Sequence, residues 1–128
     1  MSVGTAVMFS ILFLSHDADL RAAAAHALPR SGCSVVTAAH GGHARVALAR
    51  RAIDVLVVEN ELPEGSGKSV AARLRRLSPD LAVVVMCNRR SVIPADEIAV
   101  VRPFTADDLM DAIVHAAARQ ALRGATSL

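Results

Sequence analysis

Five stretches of this chain are apolar almost without interruption: residues 8–14, 33–37, 53–58, 81–87 and 98–101. Runs so short and continuous predict β-strands covered on both faces, because a half-exposed strand would alternate. Between them the apolar positions recur at three and four residues. Helices are therefore predicted over 20–28, Ala-rich and closed by Pro29, and over 43–51, following Gly41 and Gly42. A third, 68–77, places Val70, Leu74 and Leu77 on one stripe. The last, 106–122, has Thr105 as N-cap with Asp108 three residues on, and an inner stripe of Leu109, Ile113, Ala116 and Ala117. Strand and helix alternate with no repeat, linker or low-complexity segment. The pattern predicts an α/β protein with a doubly wound, five-stranded parallel sheet, in a single domain over 1–128 with its core over about 8–122.

At 128 residues and 53% hydrophobic the chain can bury a core without metals or disulfides. The longest apolar stretch, 7–14, is too short to span a bilayer and has no basic segment before it, so a cytoplasmic protein is expected, with no membrane association. Cys33 and Cys87 lack metal-motif spacing and are expected to be buried thiols. Net charge is +2, weak support for a polyanionic partner.

Ligands of such a sheet bind beyond the carboxyl ends of its strands, which directs attention to the loops after residues 14, 58, 87 and 101. One of them, in VLVVENELPEGSGKS (55–69), invites comparison with a phosphate-binding loop. That loop needs a first Gly five positions before the Gly of Gly-Lys-Ser, and Leu62 stands there. No carboxylate suited to Mg²⁺ accompanies it. A turn into a helix, with Lys68 solvated, accounts for the glycines.

Four fragments together resemble a known family. ILFLSHDADLR looks like the first strand, acidic turn and first helix of the receiver domain of bacterial response regulators, a flavodoxin-like fold. DVLVVENELPEGSG looks like its third strand and phosphoacceptor loop, VVVMCN like its fourth strand, and VVRPF like its fifth. The likeness covers about residues 11–118 and implies strand order 2-1-3-4-5.

The resemblance also implies a chemistry. The family holds Mg²⁺ with an acidic pair after the first strand, phosphorylates an Asp after the third, and contacts the phosphoryl group with a Ser or Thr after the fourth and a Lys after the fifth. The matching positions here are Ser15 and His16, then Glu59, Cys87 and Arg102, and every one departs from the pattern. A hydroxyl and an imidazole are poor substitutes for carboxylates toward a hard cation. Glu59 carries its carboxylate about 1.5 Å further out, which spoils in-line attack. Asp17 lies one position beyond the matched pair and is read as the cap of the first helix. The resemblance thus implies a degenerate pseudo-receiver that is not phosphorylated, not an enzyme, and bound to neither metal nor other cofactor.

Glu59 and Arg102 are expected to face each other across the top of the sheet, where a bidentate ion pair could imitate the phosphorylated state. The switch is dismantled: the aromatic position of the fifth strand is Ala99, and the chain has no Tyr or Trp. The interval from Cys87 to Arg102 is several residues shorter than usual for the family and contains Pro94, so the fourth helix is expected to be shortened or lost. That helix helps form the family's dimerisation face, so the output surface should be altered, and a homodimer stays open. No effector segment is expected beyond the receiver, and the protein is expected to act alone by binding a histidine kinase, a phosphotransfer protein or another receiver. The first helix, LRAAAAHAL, and the loop before the last are the expected docking elements.

Three other readings compete. A conventional receiver could be phosphorylated at another carboxylate, with Asp17 the candidate. Arg50, Arg51, Arg73, Arg75, Arg76, Arg89 and Arg90 fall on neighbouring helices or loops and could form a basic patch for nucleic acid or an acidic partner, but without aromatic residues for stacking and with acids nearly balancing the total a solvated face is favoured. His16 and Cys87 could form a soft-metal or redox sensor, though two such residues are not a ligand set.

Overall fold

The structure is a computed structural model that describes residues 8–89, 93 and 96–126. Its elements run β1 (Ser10–Leu14), α1 (Ala18–Arg30), β2 (Ser34–Ala38), α2 (Gly41–Arg50), β3 (Val55–Glu59), β4 (Glu61–Leu62), β5 (Gly65–Ser66), α3 (Gly67–Leu77), β6 (Ala82–Cys87), β7 (Ile98–Val101) and α4 (Ala106–Thr126). Five strands make one parallel sheet in the order β2-β1-β3-β6-β7. With the two-residue hairpin of β4 and β5 set aside, this is the expected 2-1-3-4-5 order. A strand of two residues carries no periodicity, so the hairpin left no trace in the apolar pattern.

The unbroken apolar runs are explained by the two cores they serve. Ile11, Phe13, Val55, Val57, Val84 and Met86 pack toward α1 and α4, joined there by Leu28, Leu109 and Ile113. Their neighbours Leu12, Leu14, Leu56, Val58, Val83 and Val85 pack toward α2 and α3 with Ala44, Val70 and Leu74. Successive residues of a strand point to opposite faces, so covering both faces demands an apolar residue at every position.

Several boundaries differ from the sequence reading. Pro29 does not close α1 but lies within its last turn, where Ser31 and Gly32 then bond back to the Leu28 and Pro29 carbonyls. Gly32, at φ 87°, makes the turn that ends the helix. Gly41 and Gly42 belong to α2, whose cap is His40: its Nδ1 accepts from the His43 amide at 3.3 Å. Leu77 does not complete the inner stripe of α3; it is 52% exposed at the last residue of that helix. The last helix continues four residues past its expected end, but its start is as read. Thr105 Oγ1 accepts from the Asp108 amide at 3.1 Å and Asp108 Oδ2 from the Thr105 amide at 2.9 Å, a reciprocal capping box.

Between β6 and β7 the described residues Asn88, Arg89, Ile93, Asp96 and Glu97 form no helix, consistent with a shortened or lost fourth helix. Arg90, Ser91, Val92, Pro94 and Ala95, on which that expectation also drew, lie outside the described residues. At the sheet's edge Ile98 and Ala99 are half-buried and Val101 is exposed. Among the described residues, no helix is long and apolar enough to cross a membrane.

Candidate functional site

The site is assembled where β1, β3 and β7 end. Glu59 closes β3 beside Met86, and the chain beyond it is pinned by two backbone bonds: the Asn60 amide to the Met86 carbonyl and the Gly67 amide to the Asn60 carbonyl, both 2.8 Å. The closing glycine of the loop is sterically required. A Cβ at Gly67 would stand 2.0 Å from the Glu59 carbonyl oxygen and 3.3 Å from Asn60 Cα.

Arg102 follows β7, and its amide donates to the Cys87 carbonyl at 2.8 Å, fixing the residue at the mouth of the sheet. Its Nη2 donates to Glu59 Oε1. The pair meets through one carboxylate oxygen rather than both, because His16 holds the other. The His16 amide donates to Oε2 at 3.2 Å, and the ring Nδ1 lies 2.5 Å from the same atom. Glu59 is 4% exposed, against 53% for the His16 side chain and 32% for that of Arg102. A buried carboxylate needs such partners, since an unpaired charge there would be costly.

Ser15 and Asp17 turn away from this centre. Ser15 is fully buried; its Oγ accepts from the Asp17 amide at 3.0 Å and its carbonyl from Arg21 Nη1 at 2.7 Å. Asp17 Oδ1 accepts from the Asp19 and Leu20 amides at 2.9 and 3.2 Å, so the residue caps α1, as its position suggested.

Cys87 is not brought to the cleft. Strand alternation turns its side chain into the core on the α2–α3 side, while its neighbours Met86 and Asn88 line the cleft with His16, Glu59, Asn60, Glu61 and Arg102. Burial pushes its thiol up, and the charge of Glu61 adds to the rise. A protonated, enclosed thiol is a poor metal ligand or redox centre, so the structure does not join His16 and Cys87 into a sensor. Ala99, paired with Val85, packs against the same core.

These residues do not fit Mg²⁺. The central carboxylate spends both oxygens on cationic or N–H partners, Ser15 points its hydroxyl at an amide, and Asp17 faces its helix. Among the described residues, no three His, Cys, Asp or Glu side chains converge on a possible metal site.

Asn60, Glu61 and Asn88 were missed in sequence. Asn60 and Glu61 directly follow the matched Glu59, and Asn88 follows the matched Cys87, so adjacency was the signal available. The bond from His16 to Glu59 has no counterpart in the sequence reading, which weighs His16 as a lost Mg²⁺ ligand or, with Cys87, as a sensor.

Set beside known proteins, the sequence matches the response regulator receiver domain over residues 11–114, and the chain belongs to that family. Solved structures agree on the fold. A response regulator receiver domain protein from Clostridium thermocellum is 22% identical, with TM-score 0.78 over 90% of this chain and 98% of that one. A response regulator receiver protein from Sinorhizobium medicae is 23% identical, with TM-score 0.75 over 88% and 96%. NtrX from Brucella abortus, solved in complex with ATP, is 22% identical, with TM-score 0.81 over 93% of this chain but 29% of its own length. No curated protein matches the sequence.

Proposed function

We propose that this receiver domain is a pseudo-receiver: it signals by protein binding from a fixed charge state and neither accepts a phosphoryl group nor catalyses a reaction. The observation that carries this reading is the occupancy of Glu59. Both carboxylate oxygens are engaged, by Arg102 and by His16, at the place where the family keeps a free aspartate. Phosphoryl transfer depends on positioning and on neutralising charge, usually through a metal, and the residues here are arranged for neither. The Glu59–Arg102 contact instead supplies permanently the kind of anion-to-cation link that a phosphorylated site makes.

The partner is a histidine kinase, a phosphotransfer protein or another receiver, engaged through α1 and the loop leading into α4. The test is incubation with Mg²⁺, labelled ATP and sensor kinases of the same organism, following label on both proteins. Absence of label on this chain, with a specific fall in one kinase's autophosphorylation, is the expected result. Label on this chain would overturn the reading and direct the search for the acceptor to Asp17.

A further inference from the structure

A second surface is left unused by this function. α2 and α3 together hold six basic residues, Arg45, Arg50, Lys68, Arg73, Arg75 and Arg76, and no acidic one. The helical acids are on α1 and α4: Asp19, Asp107, Asp108 and Asp111. There they are balanced by Arg21, Arg30, Arg119 and Arg123, so the positive excess of the helices is concentrated on α2 and α3.

Two of the six are occupied. Lys68 Nζ lies 3.2 Å from Asp96, and Arg75 Nε donates to the Leu81 carbonyl at 3.3 Å. Arg45, Arg73 and Arg76 instead line a groove between the two helices; Val70 and Leu74 beneath it are buried in the core, so the half-exposed Leu77 supplies its apolar surface. Among the described residues, none of these three arginines takes part in an ion pair. The one acid of the groove, Glu64, is engaged at the start of α2, where it accepts from the Gly41 amide at 2.9 Å.

We infer that this groove docks a short acidic, amphipathic helix of a partner protein. Val70 to Leu77 spans about 10 Å along α3, which accommodates roughly two helical turns. An apolar residue on such a segment would cover Leu77, and its carboxylates would meet the arginines. Nucleic acid fits less well: the carboxylate of Glu64 and the exposed Leu77 share the groove with the arginines and offer nothing to phosphates, and the groove has no aromatic ring on which a base could stack. The surface is separate from the Glu59 cleft and does not depend on whether Glu59 is phosphorylated.

The probe is a fluorescein-labelled peptide of about fourteen residues, with Leu at helical spacing and Glu elsewhere, titrated with the full chain by fluorescence anisotropy at physiological salt. Saturable binding is expected. Arg45→Glu, Arg73→Glu and Arg76→Glu combined should weaken it by about tenfold or more. Leu77→Glu, which spares the arginines, should also weaken it, whereas Arg50→Glu with Arg51→Glu, off the groove, should change it by less than about twofold. Circular dichroism confirms that each variant is folded. No saturable binding, equal binding by the reversed groove, or tighter binding of a short DNA duplex through the same arginines would each overturn the inference.

Discussion

Glu59 governs the energetics of the site, because a carboxylate that is 4% exposed has to be matched by its neighbours rather than by water. Replacing Arg102 by Ala would leave it with His16 alone. The expected loss is roughly 2–3 kcal/mol, below the usual figure for breaking a buried pair because the guanidinium is itself a third exposed. Urea denaturation measures it. Glu59→Ala combined with Arg102→Ala should recover part of the loss, since the orphaned charge is then gone. The thiols make a second prediction. Burial raises both Cys33 and Cys87 above the ordinary value of 9.0, so the native chain holds protons there that the unfolded chain gives up. Stability from this source is full below about pH 9 and falls as pH rises beyond it. With no Tyr and one Lys, few other side chains titrate in that range. The urea midpoint should therefore drop as pH rises above about 9, and less so after Cys33→Ala with Cys87→Ala.

At the scale of elements, the loop from β3 into α3 depends on Gly67. Its Cβ position is filled by the backbone of Glu59, so Gly67→Ala should displace the strand end and cost about 3 kcal/mol or more, with the Glu59–Arg102 contact disturbed as well. Thermal unfolding and a crystal structure of the variant would show both effects. Element boundaries were legible where a side chain itself makes the stop or start, as in the Thr105–Asp108 box. They were misread where the signal was a residue type alone. Pro29 reads as a terminator, yet near the end of α1 the remaining turn closes through the Leu28 and Pro29 carbonyls. Gly41 and Gly42 read as residues preceding the helix, yet His40 supplies the cap that allows the helix to begin with them.

For the molecule as a whole, the sheet is unequal across its width. β3 and β6 are buried at every position, while β2 and β7 are edges with half-buried or exposed residues. Hydrogen exchange should be slowest in β3 and β6 and fastest, among the strands of this sheet, in β2 and β7. Comparable protection across all five strands in the isolated protein would contradict this picture.

Alternation of apolar runs and helical stripes determined the fold class, the strand order through the family resemblance, and the positions that would meet at the mouth of the sheet. These follow from periodicity and position, which are local properties of a chain. The facing of Glu59 and Arg102 follows from position, but its one-oxygen geometry and the hold of His16 on the other oxygen were decided by the tertiary structure alone. His16 and Glu59 are 43 residues apart, and so are Glu59 and Arg102. Cys87 was assigned to the site by position, but strand alternation turns it into the core. The positive excess of α2 and α3 was written in the composition of two short helices, yet the groove exists because the fold packs those helices side by side.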